Sequence, residues 1–312
     1  MASQVLGVRN RAKAVSACVC MALLCCACST AAGAHRNGVV IAVGAENEYA
    51  DVIAQIGGRY VQVSSILNDP NTDPHTFEAS PSVAEVVSAA RLIVQNGANY
   101  DGFMNTIEAA APNPARKVID VQELLGLPAS TANPHLWYDP RTMPLVAKTV
   151  AGDLSLLEPE HAAYFAHNLA VFDSSLEPWL RAIAQFRARF PRTSVATTEP
   201  VADYMLQAAG TENETPFPLQ ADIMNGVDPA PEDITFQDSL FTEHKVKVFL
   251  YNEQVTDSIT QSFLGLAKAD GIPVVGVYET MPTPGYDYQS WMLAEVRALE
   301  NAVAHGTSTE HL

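Results

Sequence analysis

The chain has 312 residues, 48% of them apolar and 17% charged, with 18 basic against 35 acidic side chains. Such a length and apolar share supply a packed core and exceed one ordinary domain, so two lobes are expected. The formal charge of −17 argues against nucleic acid or an anionic membrane surface as a partner. It suits a cationic ligand, or simply an acidic, soluble surface.

Residues 1–34 read as a targeting segment. Arg9, Arg11 and Lys13 form a basic stretch, Cys18 to Cys28 an apolar stretch too short to span a bilayer, and Ala32-Gly33-Ala34 a small-residue cleavage site. A second reading is lipoprotein processing at Cys28, with Ala27 well placed before it and Cys25 standing where leucine is preferred. All five cysteines lie in this segment, so the exported chain has neither a disulfide framework nor a cysteine metal site. A metal site here must be built from histidines and carboxylates. Export also raises the acidic excess, to 15 basic against 35 acidic residues.

Beyond the leader, strand-like runs alternate with helix-period segments, the pattern of parallel βαβ units. Val39 to Val43 predicts a strand and Glu46 to Ile56 a helix closed by Gly57-Gly58. Tyr60 to Leu67 predicts a strand, Asn68 to Glu78 a polar loop, and Ser80 the cap of a helix before a strand at Arg91 to Gln95. Lys117 to Val121 gives a fourth strand, and a second loop runs to His135. From Pro140 to Phe190 helix formers dominate, with Leu156 followed by Phe165, Leu169, Phe172, Leu176 and Leu180, these last five recurring at spacings of three or four. One helix is expected over 141–156 and a second from Pro159 to about Phe190, roughly 45 Å long and able to join two lobes as a strut. The alternation resumes with a strand at 194–198, helices at 201–209 and 231–243, a strand at 245–251, a helix at 257–269, a strand at 273–278 and a last helix at 288–304. The expected division is a signal peptide over 1–34, a first lobe over 35–158, a linking helix over 159–190 and a second lobe over 191–312.

Two loops share one design, Asp73-Pro74-His75 and Asn133-Pro134-His135. Proline fixes its own φ and holds its predecessor extended, so each imidazole is presented from stiff, nonhelical backbone. Such loops converge at the carboxyl ends of parallel strands, where ligands bind. Glu199 closes a strand ahead of Pro200, either as a ligand or as a carboxylate at a helix start. Asp287, in the turn Pro284-Gly285-Tyr286-Asp287-Tyr288, is open to the same two roles. His35, His161, His167, His244, His305 and His311 read as surface or structural.

The run Asn47-Glu48-Tyr49, Gln55-Ile56-Gly57-Gly58, Asp73-Pro74-His75-Thr76-Phe77-Glu78, Ser80-Pro81-Ser82 and Asn96-Gly97-Ala98-Asn99-Tyr100 resembles the amino lobe of the periplasmic zinc- and manganese-binding proteins of ABC importers, the cluster A-I solute-binding family. Asn133-Pro134-His135-Leu136-Trp137-Tyr138-Asp139-Pro140 is similar to that family's second histidine loop, and Gly271-Ile272-Pro273-Val274 to its late strand. The resemblance implies an α/β fold of two (β/α) lobes with parallel sheets, joined by one long rigid helix, with a metal in the interlobe cleft. It places the first two ligands at His75 and His135, the third at Glu199 and the fourth at Asp287 or, in the other register of the last helix, at Tyr286. Glu279 is the nearest other carboxylate. The histidine-rich loop of many zinc-specific members is absent from the sequence.

Those implications make the chain an exported carrier with no catalytic role, periplasmic or held at the membrane through Cys28. It would act as a monomer that delivers Zn²⁺ or Mn²⁺, or Fe²⁺, to a membrane permease. Two imidazoles and two carboxylates accept zinc tetrahedrally, or manganese when bidentate carboxylates raise the coordination number. Glu at the third place hardens the site toward manganese, while the Irving–Williams order favours zinc. A metalloenzyme with two histidines and a carboxylate, or an adhesin-like surface antigen, are the alternatives. Against the enzyme stands the lack of an HExxH helix, nucleophile elbow or phosphate loop.

Overall fold

The computed structural model describes residues 39–71, 73–282 and 284–312; the leader and Cys28 lie outside the described residues. The first lobe opens with β1 (Val40–Glu46) and α1 (Asn47–Gly57). In α1, Tyr49, Val52, Ile53 and Ile56 all fall on the buried face, the i, i+3, i+4, i+7 stripe of a core-facing helix. Next come β2 (Val61–Leu67), α2 (Pro81–Ala89), β3 (Leu92–Gln95), α3 (Gly102–Ala110), β4 (Lys117–Asp120) and the single turn α4 (Val121–Leu124). Ser80 caps α2 as expected, its hydroxyl accepting from Val83 N with Pro81 in the first helical position. All strands are parallel, in the order β2-β1-β3-β4.

Helix α5 (Thr142–Leu157) leads through a 3₁₀ turn at Pro159–His161 into α6 (Ala162–Arg189). At 28 residues α6 is about 42 Å long. Its buried stripe is Phe165, Phe172, Leu176, Trp179, Ile183 and Phe186. Leu156, near the end of α5 as expected, and Leu180 are 68% and 36% exposed. Leu180 falls one position past the inward-facing Trp179, so the apolar spacing alone misplaced it.

The second lobe repeats the plan. It contains β5 (Ser194–Thr197), α7 (Asp203–Ala209), β6 (Glu212–Asn213), α8 (Phe217–Met224), α9 (Pro231–Thr242), β7 (Val248–Asn252), α10 (Ser258–Ala269), β8 (Val274–Val277) and α11 (Tyr288–His305). Its parallel order β6-β5-β7-β8 has the same topology as the first sheet. In each sheet the order reverses beside the first strand, and the crevice outside the strand ends at that point is where open α/β folds bind ligands.

One continuous apolar cluster runs from β1 and α1 through α5, α6 and α11 into β7 and β8, and includes Trp137, Trp179 and Trp291. Full burial of such a side chain contributes roughly 1.5–3 kcal/mol or more, so this shared core ties the lobes together. Polar pins reinforce it. Asn47 exchanges two hydrogen bonds with the backbone of Met281, its Nδ2 donating to the carbonyl at 2.8 Å and its Oδ1 accepting from the N–H at 2.9 Å. The Tyr288 N–H donates to Asp51 Oδ2 at 2.9 Å, and the Tyr288 hydroxyl to the Trp137 carbonyl at 2.6 Å.

Candidate metal centre

The candidate side chains sit at or beyond the carboxyl ends of strands. His75 comes from the loop after β2, His135 from the loop that follows β4 and α4, Glu199 lies two residues past β5, Asn252 ends β7, and Glu279 lies two residues past β8. The two proline loops present their imidazoles as the sequence suggests. In the first, Asp73 accepts from the His75 backbone N–H at 2.8 Å, stiffening a 3₁₀ turn over Pro74–Thr76. In the second, Asn133 Oδ1 accepts from the His135 backbone N–H at 3.0 Å and faces its Nδ1 at 2.8 Å. That contact assigns the proton to Nδ1 and turns Nε2 inward as a lone-pair donor to a cation. Asn133 is itself fixed from the second lobe, donating to the Pro200 carbonyl at 2.7 Å and accepting at its own carbonyl from the Tyr204 hydroxyl at 2.9 Å.

The end of β3 supports the same loop. Asn96 donates to the Pro134 carbonyl at 2.8 Å and accepts from the Tyr49 hydroxyl at 2.7 Å. Gly97 holds φ at +72° with the Asp120 carboxylate 2.6 Å from where a Cβ would stand. Both its left-handed backbone and that close approach require glycine.

The imidazoles converge on one atom. His75 Nε2 lies 3.1 Å and His135 Nε2 3.2 Å from Oε2 of Glu279, and donor atoms of the three residues all lie within 4.8 Å of one another. His135 and Glu279 are fully buried, whereas the His75 side chain keeps 21% exposure. The Tyr100 hydroxyl donates to the same Oε2 at 3.0 Å. Asn252 Nδ2 donates to Glu279 Oε1 at 2.7 Å and to Glu199 Oε1 at 3.1 Å. Glu199 is thus linked to Glu279 through the shared Asn252 amide but stands outside the clustered triplet, with its buried Oε2 unpartnered.

Burial alone would raise the Glu279 carboxyl, but hydrogen bonds and charge from His135 and His75 take it well below the usual carboxylate range. Burial lowers the basicity of His75, yet its pairing with Glu279 raises it net; for His135, wholly enclosed, burial wins and the net shift is downward. Glu199 is pushed up by burial and by the Glu279 charge. Behind the site, burial also holds Glu46 and Glu48 well above the usual range and takes Asp101 to about 7. Two imidazole nitrogens and an anionic oxygen facing one another need a proton or a cation between them, and a divalent metal meets that demand.

Asp287 is not brought to this cluster. It is exposed and caps α11, where its carboxylate accepts from the Ser290 N–H at 2.8 Å while the Ser290 hydroxyl takes the Asp287 N–H at 3.1 Å. The helix start claims the side chain because an aspartate at the cap satisfies orphan N–H groups there. Tyr286, the other register, is half-buried in the same turn. Glu279, earlier in the chain, fills the place beside the histidines. Sequence reasoning passed over Asn252 and Gln254; the signal available was their position at the end of β7, facing the same crevice. Gln254 Oε1 accepts from the backbone N–H groups of Glu279 at 2.6 Å and Thr280 at 2.9 Å, which sets the Glu279 backbone.

Two parallel-sheet lobes tied by one long helix, with two imidazoles meeting a buried carboxylate beyond their strand ends, define a metal-capturing solute-binding protein. The family profile described as zinc-uptake complex component A, periplasmic, matches residues 43–302, and the chain belongs to that family. Over 198 residues it is 26% identical to the metal ABC transporter substrate-binding lipoprotein FimA of Streptococcus parasanguinis, a match covering 59% of this chain and 64% of that protein. It is 21% identical over 262 residues to the manganese-binding lipoprotein MntA of Bacillus subtilis, covering 78% and 81%. Among solved structures, the periplasmic zinc-binding protein TroA of Treponema pallidum superposes with a TM-score of 0.70 at 17% identity, covering 86% of this chain and 99% of that one.

Proposed function

We propose that the chain captures a divalent transition metal outside the cytoplasm and hands it to the permease of an ABC importer, holding the ion with His75, His135, Glu279 and Glu199. The observation that carries this reading is the approach of both Nε2 atoms, at 3.1 and 3.2 Å, to one buried carboxylate oxygen. The unpartnered Oε2 of Glu199 supplies the fourth donor once a cation draws it in, and the metal offsets its desolvation. Asp287 is left out of the set because it is engaged at the helix cap.

Zn²⁺ and Mn²⁺ are the cargoes that the donor types and the named relatives support, and the same donor types accept Fe²⁺ as a third. The relatives named as lipoproteins support tethering through Cys28 as one form of the exported chain. We take 35–158 and 191–312 as the lobes, 159–190 as the linking helix, and the monomer as the working unit. A filled site that closes its own coordination shell favours capture over catalysis, which needs an open position.

Titration calorimetry with Zn²⁺ and Mn²⁺ tests the reading. The His75→Ala, His135→Ala double variant is expected to lose binding of both metals while keeping the wild-type circular dichroism. Unchanged affinity in that variant would overturn the assignment.

A further inference from the structure

We infer that Asn252 is a specificity-determining residue, one that limits each carboxylate of the site to a single metal-facing oxygen and thereby sets a four-donor shell. This inference rests on the ligand set proposed above. The Asn252 side chain is completely buried, and its orientation is determined by its neighbours. Its Oδ1 accepts from the Gln254 backbone N–H at 3.0 Å, and its own backbone N–H donates to the Thr198 hydroxyl at 3.0 Å. An exchanged amide would set its NH₂ against the Gln254 N–H and an oxygen against two carboxylates, so Nδ2 must be the atom between Glu199 and Glu279.

Both hydrogens of that NH₂ are then committed, one to Glu279 Oε1 at 2.7 Å and one to Glu199 Oε1 at 3.1 Å. What remains is Glu279 Oε2, which already faces both imidazoles, and Glu199 Oε2, buried with no partner. Two Nε2 and two Oε2 atoms make four donors. A four-donor N₂O₂ set matches the tetrahedral preference of zinc, whereas manganese gains most from the extra oxygens of bidentate carboxylates. Glutamate at the third place permits bidentate binding, and the Asn252 amide withholds it. Specificity of this kind works by denying the competitor its preferred shell.

The test uses the full exported chain loaded with the metal alone. In wild type, Co²⁺ is expected to give the intense visible absorption of a four-coordinate ion, and competition titration to give a Zn²⁺-over-Mn²⁺ preference. In Asn252→Ala both Oε1 atoms are released. The Co²⁺ band should weaken toward that of a five- or six-coordinate ion, and the Mn²⁺/Zn²⁺ affinity ratio should rise by about tenfold or more, the scale of outer-shell effects on metal sites. Asn252→Ser keeps one donor, covers the case in which the alanine variant does not fold, and should give an intermediate ratio. A wild-type Co²⁺ spectrum with an unchanged ratio in the folded variant overturns the inference. So does a parallel loss of both affinities at constant ratio, which marks Asn252 as mere scaffolding. The histidine double variant separates the two readings: retained binding there defeats the ligand set itself, whereas lost binding there with an unaltered ratio in the Asn252 variants defeats only the role of Asn252.

Discussion

Glu279→Gln removes one charge from the site and almost no volume. In the wild-type chain Oε2 of Glu279 is shared by His75 at 3.1 Å, His135 at 3.2 Å and the Tyr100 hydroxyl at 3.0 Å. A neutral amide there loses the only anion among the three clustered donors. Outer-shell changes already cost metal sites 10- to 100-fold, so losing this ligand charge should cost about 100-fold or more. A ligand that binds only the folded state stabilises it by RT ln(1 + [L]/Kd), about 2.7 kcal/mol at 100 times Kd. For a chain of this size that is a rise in Tm of roughly 5–10 °C. At the same free metal concentration the variant would sit near its own Kd, with about 0.4 kcal/mol of stabilisation left and a shift of about 1 °C. Differential scanning calorimetry of both proteins, each against its own chelated baseline, measures this directly. A variant whose metal-induced shift stays within a couple of degrees of wild type would refute the placement of Glu279 at the ion.

Asp287→Ala separates ligand from cap. Loss of the capping box should cost about 1 kcal/mol of stability and leave metal affinity at the wild-type value by calorimetry; a large fall in affinity would return Asp287 to the shell. Metal binding should release protons and weaken as pH falls. His75 is raised above the ordinary imidazole range by Glu279, so its proton competes from above about pH 6.5 downward, and Glu199, raised by burial and the Glu279 charge, gives up another. Calorimetry in buffers of different ionisation enthalpy counts them, and zero release at neutral pH would contradict both shifts. Glu295 is pushed up to about 8 by burial despite hydrogen bonds from Trp291 and Tyr138. The folded protein therefore holds a proton that the unfolded chain releases, and stability falls as pH climbs toward that value. Glu295→Gln lacks this penalty, so its Tm advantage over wild type should grow between about pH 5 and about pH 8; a constant difference would count against it.

Local chemistry made some elements legible and left others hidden. The proline-histidine loops, the Ser80 cap and the stripe Tyr49, Val52, Ile53 and Ile56 each carry their own physical signal, and the structure shows all of them. Helices α3 and α8 carry weak ones. The first opens at Gly102 and the second follows Pro216, neither with a side-chain cap bond, so both depend on packing from distant residues. The same limit applies at the site. Asp287 and Glu279 are equally acidic in sequence, but only the docking of β8 beside β7, with Gln254 holding the Glu279 backbone, decides which one reaches the histidines. Asn252 could not be singled out because its role lies in bridging two residues 53 and 27 positions away.

The distribution of contacts also decides which part of the molecule can move when the ion comes and goes. A wide hinge opening would expose the apolar cluster that runs unbroken from α1 through α6 to α11. It would also break the buried exchange between Asn47 and Met281. Each buried bond left unmade costs about 1–3 kcal/mol, so the sum exceeds what one ion returns at ordinary excess. The proline loop that carries His75 is the part able to give. Its Asp73 bond is local, and among the three clustered side chains His75 alone keeps solvent exposure. The ion should therefore enter and leave past His75, with that loop moving and the lobes nearly fixed. Hydrogen exchange with and without Zn²⁺ is expected to show protection gained over residues 68–78 and at the strand ends, with the amides of α6 and α11 unchanged. Protection that rises across α6 and α11 instead would mean the lobes themselves open, and the loop would not be the moving part.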